Sequence, residues 1–393
     1  MKNLYIFTVK FPYTKTTECF LEDEIKYLAN RFDKITIIPL QKETSSPKEL
    51  LVKCHVIPPV LGGHFHFLIN GLFNICTIGI LLGDFFKKHV YFDRIKLLSW
   101  VKCYFIANNL LNSSKLKEIR KAIKQDDVCY FYWGKWSNLL SLFWKGECKM
   151  VSRFHGEFDL WEEVYKGYVP LRRKVVESLD AAVFISSKGE AYFKSKYPQC
   201  KTFYFPLGTN DLKTTPYFAS EEIRVLSCSN VIPLKRIPLI FDALLAINDR
   251  KIKWIHIGDG SDMDYLKKTI KTKEHKNLTI VLMGAMEHKD VMSFYEKECF
   301  DVFVNLSKIE GVPVSIMEAI SCDIPVVATD VGGTSEVVAK ETGVLVSANP
   351  SPNEVAAAIR TVIKLELHPR VFWNNHYNAQ INYKRFTDFL YTI

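Results

Sequence analysis

Residues 301–338 read DVFVNLSKIEGVPVSIMEAISCDIPVVATDVGGTSEVV, and this stretch decides how the chain folds. It begins with a short apolar run, Val302–Asn305, which has the length of a buried strand. A helical pattern follows over Pro313–Ser321, and a second apolar run covers Pro325–Ala328. A buried strand, a helix and another buried strand in this order predict a β–α–β unit with a parallel sheet.

The same alternation runs through all 393 residues and predicts an α/β protein with two doubly wound, Rossmann-like domains. A polar stretch at residues 206–222 separates the two series of strands. We therefore expect domains at 1–208 and 209–370, followed by a terminal helical segment at 371–393. The predicted strands are Leu4–Thr8, Lys34–Pro39, Val128–Tyr132, Met150–Phe154, Ala181–Ile185, Arg224–Cys228, Lys253–Ile257, Leu278–Leu282, Val302–Asn305, Pro325–Ala328 and Gly343–Val346.

The predicted helix start at Pro313 favours an anion site. Proline fits the first turn because it has no N–H to leave unpaired. The backbone N–H groups of Val314 and Ser315 then face outward with the helix dipole behind them, and a diphosphate is a natural ligand for such a site. Two acids lie nearby, Glu310 on the loop and Glu318 inside the helix. If only one of them were present, its stabilising interaction with the helix dipole would be a sufficient explanation. Together they favour a phosphate site flanked by two acceptors for sugar hydroxyls.

Candidate charged and aromatic partners follow other strands, where α/β sheets bind ligands. Lys235 and Arg236 lie in the loop after Arg224–Cys228 and are candidates for binding phosphate. The alternative is that they are two solvated cations on the surface. His155 follows Met150–Phe154 and has a structural role as its alternative. Core packing and sugar stacking remain equally open for the last two candidates, Trp133 and Trp136.

Glu310 and Glu318 are separated by seven residues, and this segment resembles the E-x7-E motif of the family 4 retaining glycosyltransferases, which have the GT-B fold. The resemblance covers nearly the whole chain and points to the bacterial surface-polysaccharide type. It implies that residues 310–318 bind the donor, including Gly311 and Val312. Residues 227–236 are similar to the family's phosphate-binding segment, in which Lys235 matches the Lys and Asn230 stands at the Arg position, so that Arg236 would supply the missing charge.

Three further segments carry the resemblance. The turn at residues 256–260, with Gly258 and Gly260, is similar to one that holds the nucleotide base. Residues 152–156 resemble the family's histidine segment, which implies that His155 lies near the donor sugar and the acceptor. Residues 373–390 are similar to the terminal helix that returns to the amino-terminal domain. The resemblance thus implies acceptor binding by the first domain and nucleotide-sugar binding by the second, across a cleft.

The implied activity is a retaining transfer of a hexosyl group from a nucleoside-diphosphate sugar to a saccharide hydroxyl, with a lipid-linked acceptor as the leading candidate. Neither a cofactor nor a divalent metal is expected, because lysine and helix N–H groups are available for the phosphate charge. Acids at 262 and 264 are explained as helix caps. The alternatives are a GT-B sugar-nucleotide epimerase and a non-catalytic sugar-nucleotide-binding or scaffold protein.

Charge and hydropathy indicate a membrane contact. Residues 84–124 contain ten Lys and Arg against three Asp and Glu, and the thirty residues 54–83 contain none of these four types. Within them, residues 66–83 are open to three explanations: a buried core segment, a helix in the membrane interface, or a span. An apolar face next to basic residues favours reversible contact of residues 64–124 with anionic lipid.

Composition excludes several classes. Apolar types make up 48% and charged types 24% of the chain, which argues against disorder and coiled coil. Ten cysteines without a C-x-x-C pair or zinc-ligand spacing indicate reduced thiols, and no signal peptide is predicted. We expect a cytoplasmic protein, peripheral on the inner face of the cell membrane. The basic residues belong to no nucleic-acid-binding module, and the loop after the first strand lacks the G-x-G-x-x-G of a dinucleotide oxidoreductase.

Overall fold

The computed structural model describes residues 2–14, 18, 20–62, 67–69, 71–156, 159–212 and 220–393. The chain divides into two units, one of residues 1–205 with 383–393 and one of residues 206–382. Each unit is built on its own parallel sheet. Of the predicted membrane-contacting segment, residues 64–66 and 70 lie outside the described residues, as do residues 213–219 of the polar stretch between the two series of strands.

The first sheet has seven parallel strands in the order β3-β2-β1-β4-β5-β6-β7. Apolar residues alternate between its two faces: Leu4 and Ile6 pack into one buried cluster, whereas Tyr5 and Phe7 pack into the other. The strands are β1 (Asn3–Thr8), β2 (Lys34–Pro39), β3 (Cys54–Val56), β4 (Val128–Phe131), β5 (Lys149–Phe154), β6 (Ala181–Phe184) and β7 (Thr202–Tyr204).

Helices connect these strands, and polar caps mark several of their starts. The Asp93 carboxylate accepts the N–H groups of Ile95 and Lys96, and Asn74 accepts that of Cys76. The helices are α1 (Leu21–Leu28), α2 (Ile75–Lys87), α3 (Arg94–Asn112), α4 (Ser114–Ala122), α5 (Ser141–Trp144), α6 (Arg172–Ser178) and α7 (Ser187–Lys196), with 3-10 turns at Val90–Phe92, Ser137–Leu140 and Glu162–Tyr165.

The second sheet has six parallel strands in the order β10-β9-β8-β11-β12-β13. Its strands are β8 (Glu222–Cys228), β9 (Lys251–Ile257), β10 (Leu278–Gly284), β11 (Val302–Asn305), β12 (Val326–Thr329) and β13 (Gly343–Val346). The helices are α8 (Ile237–Leu245), α9 (Met263–Thr272), α10 (His288–Lys297), α11 (Val314–Ser321), α12 (Thr334–Val337), α13 (Pro352–Val362), α14 (Pro369–His376) and α15 (Ala379–Thr392).

The predicted α/β class with two doubly wound sheets is confirmed, and each predicted strand is present within about two residues. Two strands were not predicted, β3 and β7. Both have three residues, lie at the edges of the first sheet and are only partly buried. They therefore lack the continuous apolar run by which a central parallel strand is recognised.

The terminal segment contains two helices and not one. Helix α14 ends before Tyr377, and the backbone of residues 377–379 pairs instead with Thr209, which donates its N–H to Tyr377 O and accepts that of Ala379. The Asn382 amide also donates to Leu207 O and to His376 O. The second unit thus extends to residue 382, beyond the predicted boundary at 370, and only residues 383–393 join the first unit.

The apolar residues 66–83 do not form a core helix in the part that the structure describes. Helix α2 buries only Thr77 and Leu81, and Ile75 and Phe86 are largely exposed. Among the described residues, no helix combines the length and the apolar character that crossing a bilayer requires.

Candidate active site

An ion pair joins two loops that follow parallel strands of the second sheet. Lys235, after β8, places its Nζ 2.6 Å from Oε1 of Glu310, which follows β11. The Asn305 amide donates to the same oxygen at 3.3 Å. The backbones are joined as well, since the Lys308 N–H donates to Leu234 O at 2.8 Å. The structure therefore brings together the two residues that the sequence assigned to the phosphate and to the sugar.

The start of α11 has the unpaired N–H groups that an anion site requires. Pro313 caps the helix in an extended conformation, and its carbonyl accepts from Ile316 and Met317. Within the described residues, the N–H groups of Val314 and Ser315 have no hydrogen-bond partner. These two donors, with the helix behind them, have the arrangement that the predicted anion site needs.

A glycine turn packs against the backbone of the Glu310 loop. Gly332 has a φ of 55°, and a Cβ at this position would lie 1.8 Å from Glu310 O. A Cβ on Gly333 would lie 2.5 Å from Gly311 O, which also accepts the Gly333 N–H at 2.7 Å. Only glycine fits at 332, and the loop is held in place by this close backbone contact.

Glu318 lies one and a half turns inside α11 and is almost fully buried. Its Oε1 is 2.7 Å from Nε2 of His288, the first residue of α10. His288 is a partner that the sequence analysis did not identify. No local pattern pointed to it, because the two residues lie thirty positions apart in the chain.

Arg236 is engaged with the protein itself. Its guanidinium donates to the carbonyls of Leu306, Ser307 and Ala348. Burial lowers the pKa of this group. The structure thus places Arg236 as a brace of the loop after β11, whereas the sequence assigned it to the diphosphate.

Asn230 is exposed beside two tight turns. A Cβ on Gly258 would lie 1.9 Å from Ser229 O, and one on Gly260 would lie 2.4 Å from Val231 O. Both glycines therefore pack directly against the segment that carries Asn230. The predicted base-binding turn and the predicted phosphate-binding loop are neighbours.

His155 follows β5 in the first unit, and a buried carboxylate holds its backbone. Asp159 accepts the N–H groups of His155, Gly156 and Gly134. Burial opposes ionisation of Asp159, but the adjacent His155 ring and these N–H groups outweigh it, so the pKa of Asp159 is lowered. Both ring nitrogens of His155 are buried and have no hydrogen-bond partner within the described residues.

The Trp133 ring contacts the His155 ring, with the centroids 4.4 Å apart and the planes tilted by 43°. Its indole N–H donates to Glu18 at 2.7 Å, and the same carboxylate accepts the N–H groups of Val9, Lys10 and Phe11. Glu18 therefore closes the loop after β1 and fixes Trp133. The sequence contains no motif for this contact, since Glu18 lies beyond the loop that it binds.

Trp136 is separated from this group. It packs with the apolar cluster on the other face of the first sheet, while Trp133 packs with the cluster that contains Tyr130. The ammonium groups of Lys102 and Lys135 lie 5.1 Å and 4.7 Å from the Trp136 ring. Of the two tryptophans, Trp133 is therefore the one that contacts His155.

Metal ligands are not gathered anywhere in the part of the chain that the structure describes: no three His, Cys, Asp or Glu side chains converge. The second unit presents instead a lysine, two helix N–H groups and two carboxylates. Such a set is suited to bind a phosphate and to accept hydrogen bonds from hydroxyl groups.

Residues 212–383 match the family described as "Glycosyl transferases group 1". The chain is 25% identical over 207 residues to one of the subunits of the phosphatidylinositol N-acetylglucosaminyltransferase of Arabidopsis thaliana, covering 49% of this chain and 45% of that protein. It is 23% identical over 224 residues to a GDP-mannose-dependent phosphatidylinositol monomannoside mannosyltransferase of Corynebacterium glutamicum, covering 51% and 57%. The chain thus spans about half the length of these relatives.

Solved structures resemble the whole chain. The apo form of the lipopolysaccharide outer core galactosyltransferase WaaB covers 99% of both chains with a TM-score of 0.69 and 13% identity. Anabaena Alr3699/HepE in complex with UDP and glucose covers 99% of both with a TM-score of 0.65 and 14% identity. These likenesses confirm the predicted GT-B fold.

Proposed function

We propose that this protein transfers a sugar from a nucleoside-diphosphate sugar to a hydroxyl group of a saccharide acceptor, because residues 212–383 match the glycosyl transferases group 1 family. The observation that carries the proposal is the Lys235–Glu310 pair, 2.6 Å long, beside the unpaired N–H groups of Val314 and Ser315. A cation, two N–H donors and a carboxylate acceptor match the groups of such a donor.

The diphosphate binds at the start of α11 in this proposal. Val314 and Ser315 donate to its oxygens, and the Lys235 ammonium turns from Glu310 to the phosphate. Negative charge grows on that phosphate as the glycosidic bond breaks, so these cationic and dipolar groups stabilise the transition state more than the ground state. No divalent metal takes part in this proposal.

Carboxylates hold the two sugars of the donor. Glu310, released by Lys235, accepts a hydrogen bond from the transferred sugar, and Glu318 accepts from the ribose. Glu318 is paired with His288 in the free protein, so the ribose hydroxyls replace or share that contact. Glu318→Ala should therefore weaken donor binding by about tenfold or more, since hydrogen bonds to charged groups contribute about 1.5–3 kcal/mol.

The proposed reaction retains the anomeric configuration. The bond between the anomeric carbon and the phosphate oxygen breaks, the acceptor oxygen bonds to the same face of that carbon, and the acceptor proton passes to the leaving phosphate oxygen. The products are a glycoside and a nucleoside diphosphate. Retention rests on the likeness of residues 310–318 to the E-x7-E segment.

The first unit is assigned to the acceptor. His155 and Trp133 supply an aromatic ring and an imidazole whose Nδ1 lies 3.7 Å from Asp159 and whose Nε2 has no hydrogen-bond partner within the described residues, which suits contact with a sugar. The acceptor is proposed to be a lipid-linked saccharide of surface-polysaccharide assembly, met in the cytoplasm at the inner face of the membrane. Support comes from WaaB and from the phosphatidylinositol-related names of the sequence relatives.

A donor screen followed by product analysis tests the proposal. UDP-, GDP- and ADP-sugars are first compared for thermal stabilisation, since a ligand of the native state raises the unfolding temperature. UDP-sugars come first because HepE was solved with UDP and glucose. The selected donor is then incubated with saccharide acceptors, and the anomeric configuration of the product is read by NMR. A product of inverted configuration would contradict the retaining mechanism.

The exposed Asn230 favours one alternative, a non-catalytic sugar-nucleotide-binding protein, because it stands where a cation is expected. That alternative predicts stabilisation by a sugar nucleotide without transfer to any acceptor. An epimerase predicts a changed sugar without an acceptor. The same incubations, with and without acceptor, separate all three functions.

A further inference from the structure

Residues 68–101 of the first unit expose a dense set of large apolar side chains. They lie before and along α2, on the following 3-10 turn and on the first half of α3. Phe92 is 81%, Ile75 76% and Phe73 66% exposed. The full set is Leu68, Ile69, Leu72, Phe73, Ile75, Leu82, Phe86, Tyr91, Phe92, Ile95, Leu97, Leu98 and Val101, which we call the apolar face.

Firm packing holds the apolar face in place. Leu81 of α2 and Cys103, Ile106 and Leu110 of α3 lie in the buried cluster of the first sheet. The Trp100 indole N–H donates to Leu81 O at 3.0 Å and joins the two helices. The exposed side chains therefore project from anchored helices.

Side-chain amides connect the segment before α2 to α3 by hydrogen bonds. Asn108 donates to Gly71 O, Asn112 donates to Phe73 O, and the Asn74 amide donates to Asn112 Oδ1. The exposed Phe73 thus lies on backbone that is tied to a packed helix. Exposure of this many apolar groups on ordered helices marks a contact surface.

Basic residues adjoin the apolar face and outnumber its acids. Lys87, Lys88 and Arg94 are exposed and take part in no ion pair within the described residues. Of the two acids in residues 68–101, Asp93 pairs with Lys166 at 3.0 Å, whereas the partner of Asp84 is the neutral Tyr168 hydroxyl at 2.5 Å. Three unpaired cations against one such acid leave an excess of positive charge at the edge of the face.

We propose that the apolar face docks this protein on a bilayer that contains anionic phospholipid. The apolar side chains enter the interface between head groups and acyl chains, and Lys87, Lys88 and Arg94 lie among the head-group phosphates. Burial of apolar area together with charge attraction is the combination that gives stable but reversible binding. The positive edge favours a lipid surface over an apolar protein partner, and no described helix of the chain is suited to span.

Docking and catalysis can be tested separately. The apolar face contains none of the residues proposed to bind the donor, and it does not contain His155. The test uses the full chain with vesicles of neutral lipid alone and of neutral plus anionic lipid. We expect co-sedimentation with the anionic vesicles at low salt and loss of binding at high salt, since screening shortens the reach of the charges. Absence of sedimentation at low salt would overturn the proposal.

Two variants with matched controls divide the contributions. Phe73→Ser with Phe86→Ser and Phe92→Ser should abolish sedimentation, whereas Val371→Ser, another exposed apolar residue, should not. Lys87→Glu with Lys88→Glu reverses two charges and should weaken binding at least about 25-fold, at roughly fivefold per lysine. Lys267→Glu with Lys268→Glu, an exposed pair on α9, is its control and should leave binding unchanged.

Two further measurements test how deeply the apolar face enters the bilayer and whether the protein associates with itself. A Phe92→Trp variant should be quenched by lipids brominated on the acyl chain, and sedimentation without quenching would overturn insertion of the face. Analytical ultracentrifugation without lipid tests a second copy as the occupant. A dimer that the triple serine variant dissociates would overturn the proposal in favour of self-association. Unchanged unfolding temperatures confirm that each variant is folded.

Discussion

The Lys235 ammonium lies 2.6 Å from the Glu310 carboxylate, and both side chains are mostly shielded from solvent. In the free protein each group thus neutralises the other. In the proposed function the diphosphate of the donor binds Lys235 and a hydroxyl group of the sugar binds Glu310, so each group gains a partner on the donor when the ion pair opens. This relationship links the loop after β8 to the loop after β11.

Lys235→Met should lower kcat by on the order of a hundredfold, because one donor to a developing negative charge contributes about 3 kcal/mol. Steady-state kinetics with the donor found in the screen measure this. Lys273→Met is the control, since Lys273 pairs with Asp242 at the same 2.6 Å but on the surface. Wild-type turnover in Lys235→Met would contradict the assigned role.

Gly332→Ala should disrupt the site through the backbone. The added methyl group would lie 1.8 Å from Glu310 O at a φ of 55°, so the loop must move. We expect kcat to fall at least about tenfold, since a small displacement of catalytic groups is costly. Gly79→Ala, a helical position with open space around it, should leave activity intact and stabilise the protein by about 0.5–1 kcal/mol. Equal activities of the two variants would refute this account.

Glu18→Ala should destabilise the first unit. It leaves three backbone N–H groups and the Trp133 indole without their acceptor, and unsatisfied buried donors cost about 1–3 kcal/mol each. Urea unfolding should show a loss of roughly 3 kcal/mol. Glu22→Ala, which removes a half-exposed pair with Lys48, is the control and should cost less than about 1 kcal/mol. If Glu18→Ala is as stable as this control, Glu18 does not stabilise the first unit through these hydrogen bonds.

His256 should make stability depend on pH. Burial lowers its pKa from 6.5 to about 4. The unfolded chain therefore binds a proton at a higher pH than the folded chain, and the stability present above pH about 6.5 is lost as the pH falls towards about 4. The loss amounts to about 3 kcal/mol, at about 1.4 kcal/mol per pH unit.

Urea unfolding at several pH values, for the wild type and for His256→Gln, measures this effect. The variant should be less stable at neutral pH, because Ser227 loses its 2.8 Å contact with the imidazole. Its stability should nevertheless fall less steeply below pH about 6.5 than that of the wild type. Parallel pH profiles would show that His256 does not carry the dependence.

The sequence predicted the strands well because central parallel strands are continuous apolar runs. Val302–Asn305 and Gly343–Val346 have the predicted bounds, and Lys34–Pro39 does too. The helix after Pro313 and the carboxylates at 310 and 318 could be placed for the same reason: their spacing is local. Their catalytic roles stay predictions until donor and acceptor are tested.

Contacts between residues far apart in the chain could not be predicted from the sequence. The side chains of Arg236 and Lys235 are adjacent in the chain, yet one braces the loop after β11 through its carbonyls and the other meets Glu310. The two side chains point in different directions, and Arg236 has a positive φ of 53°. Neither property can be inferred from the order of the residues. The contacts of Glu18 and His288 likewise depend on how distant segments pack.

By itself the sequence determined the class of fold, the order of its central strands along the chain and the helix start that presents free N–H groups, because hydrophobic period and proline chemistry act over a few residues. The tertiary structure decided which charges pair and that residues 68–101 face outward. Those outcomes depend on side-chain directions and on burial, which arise only when segments far apart in the chain are brought together.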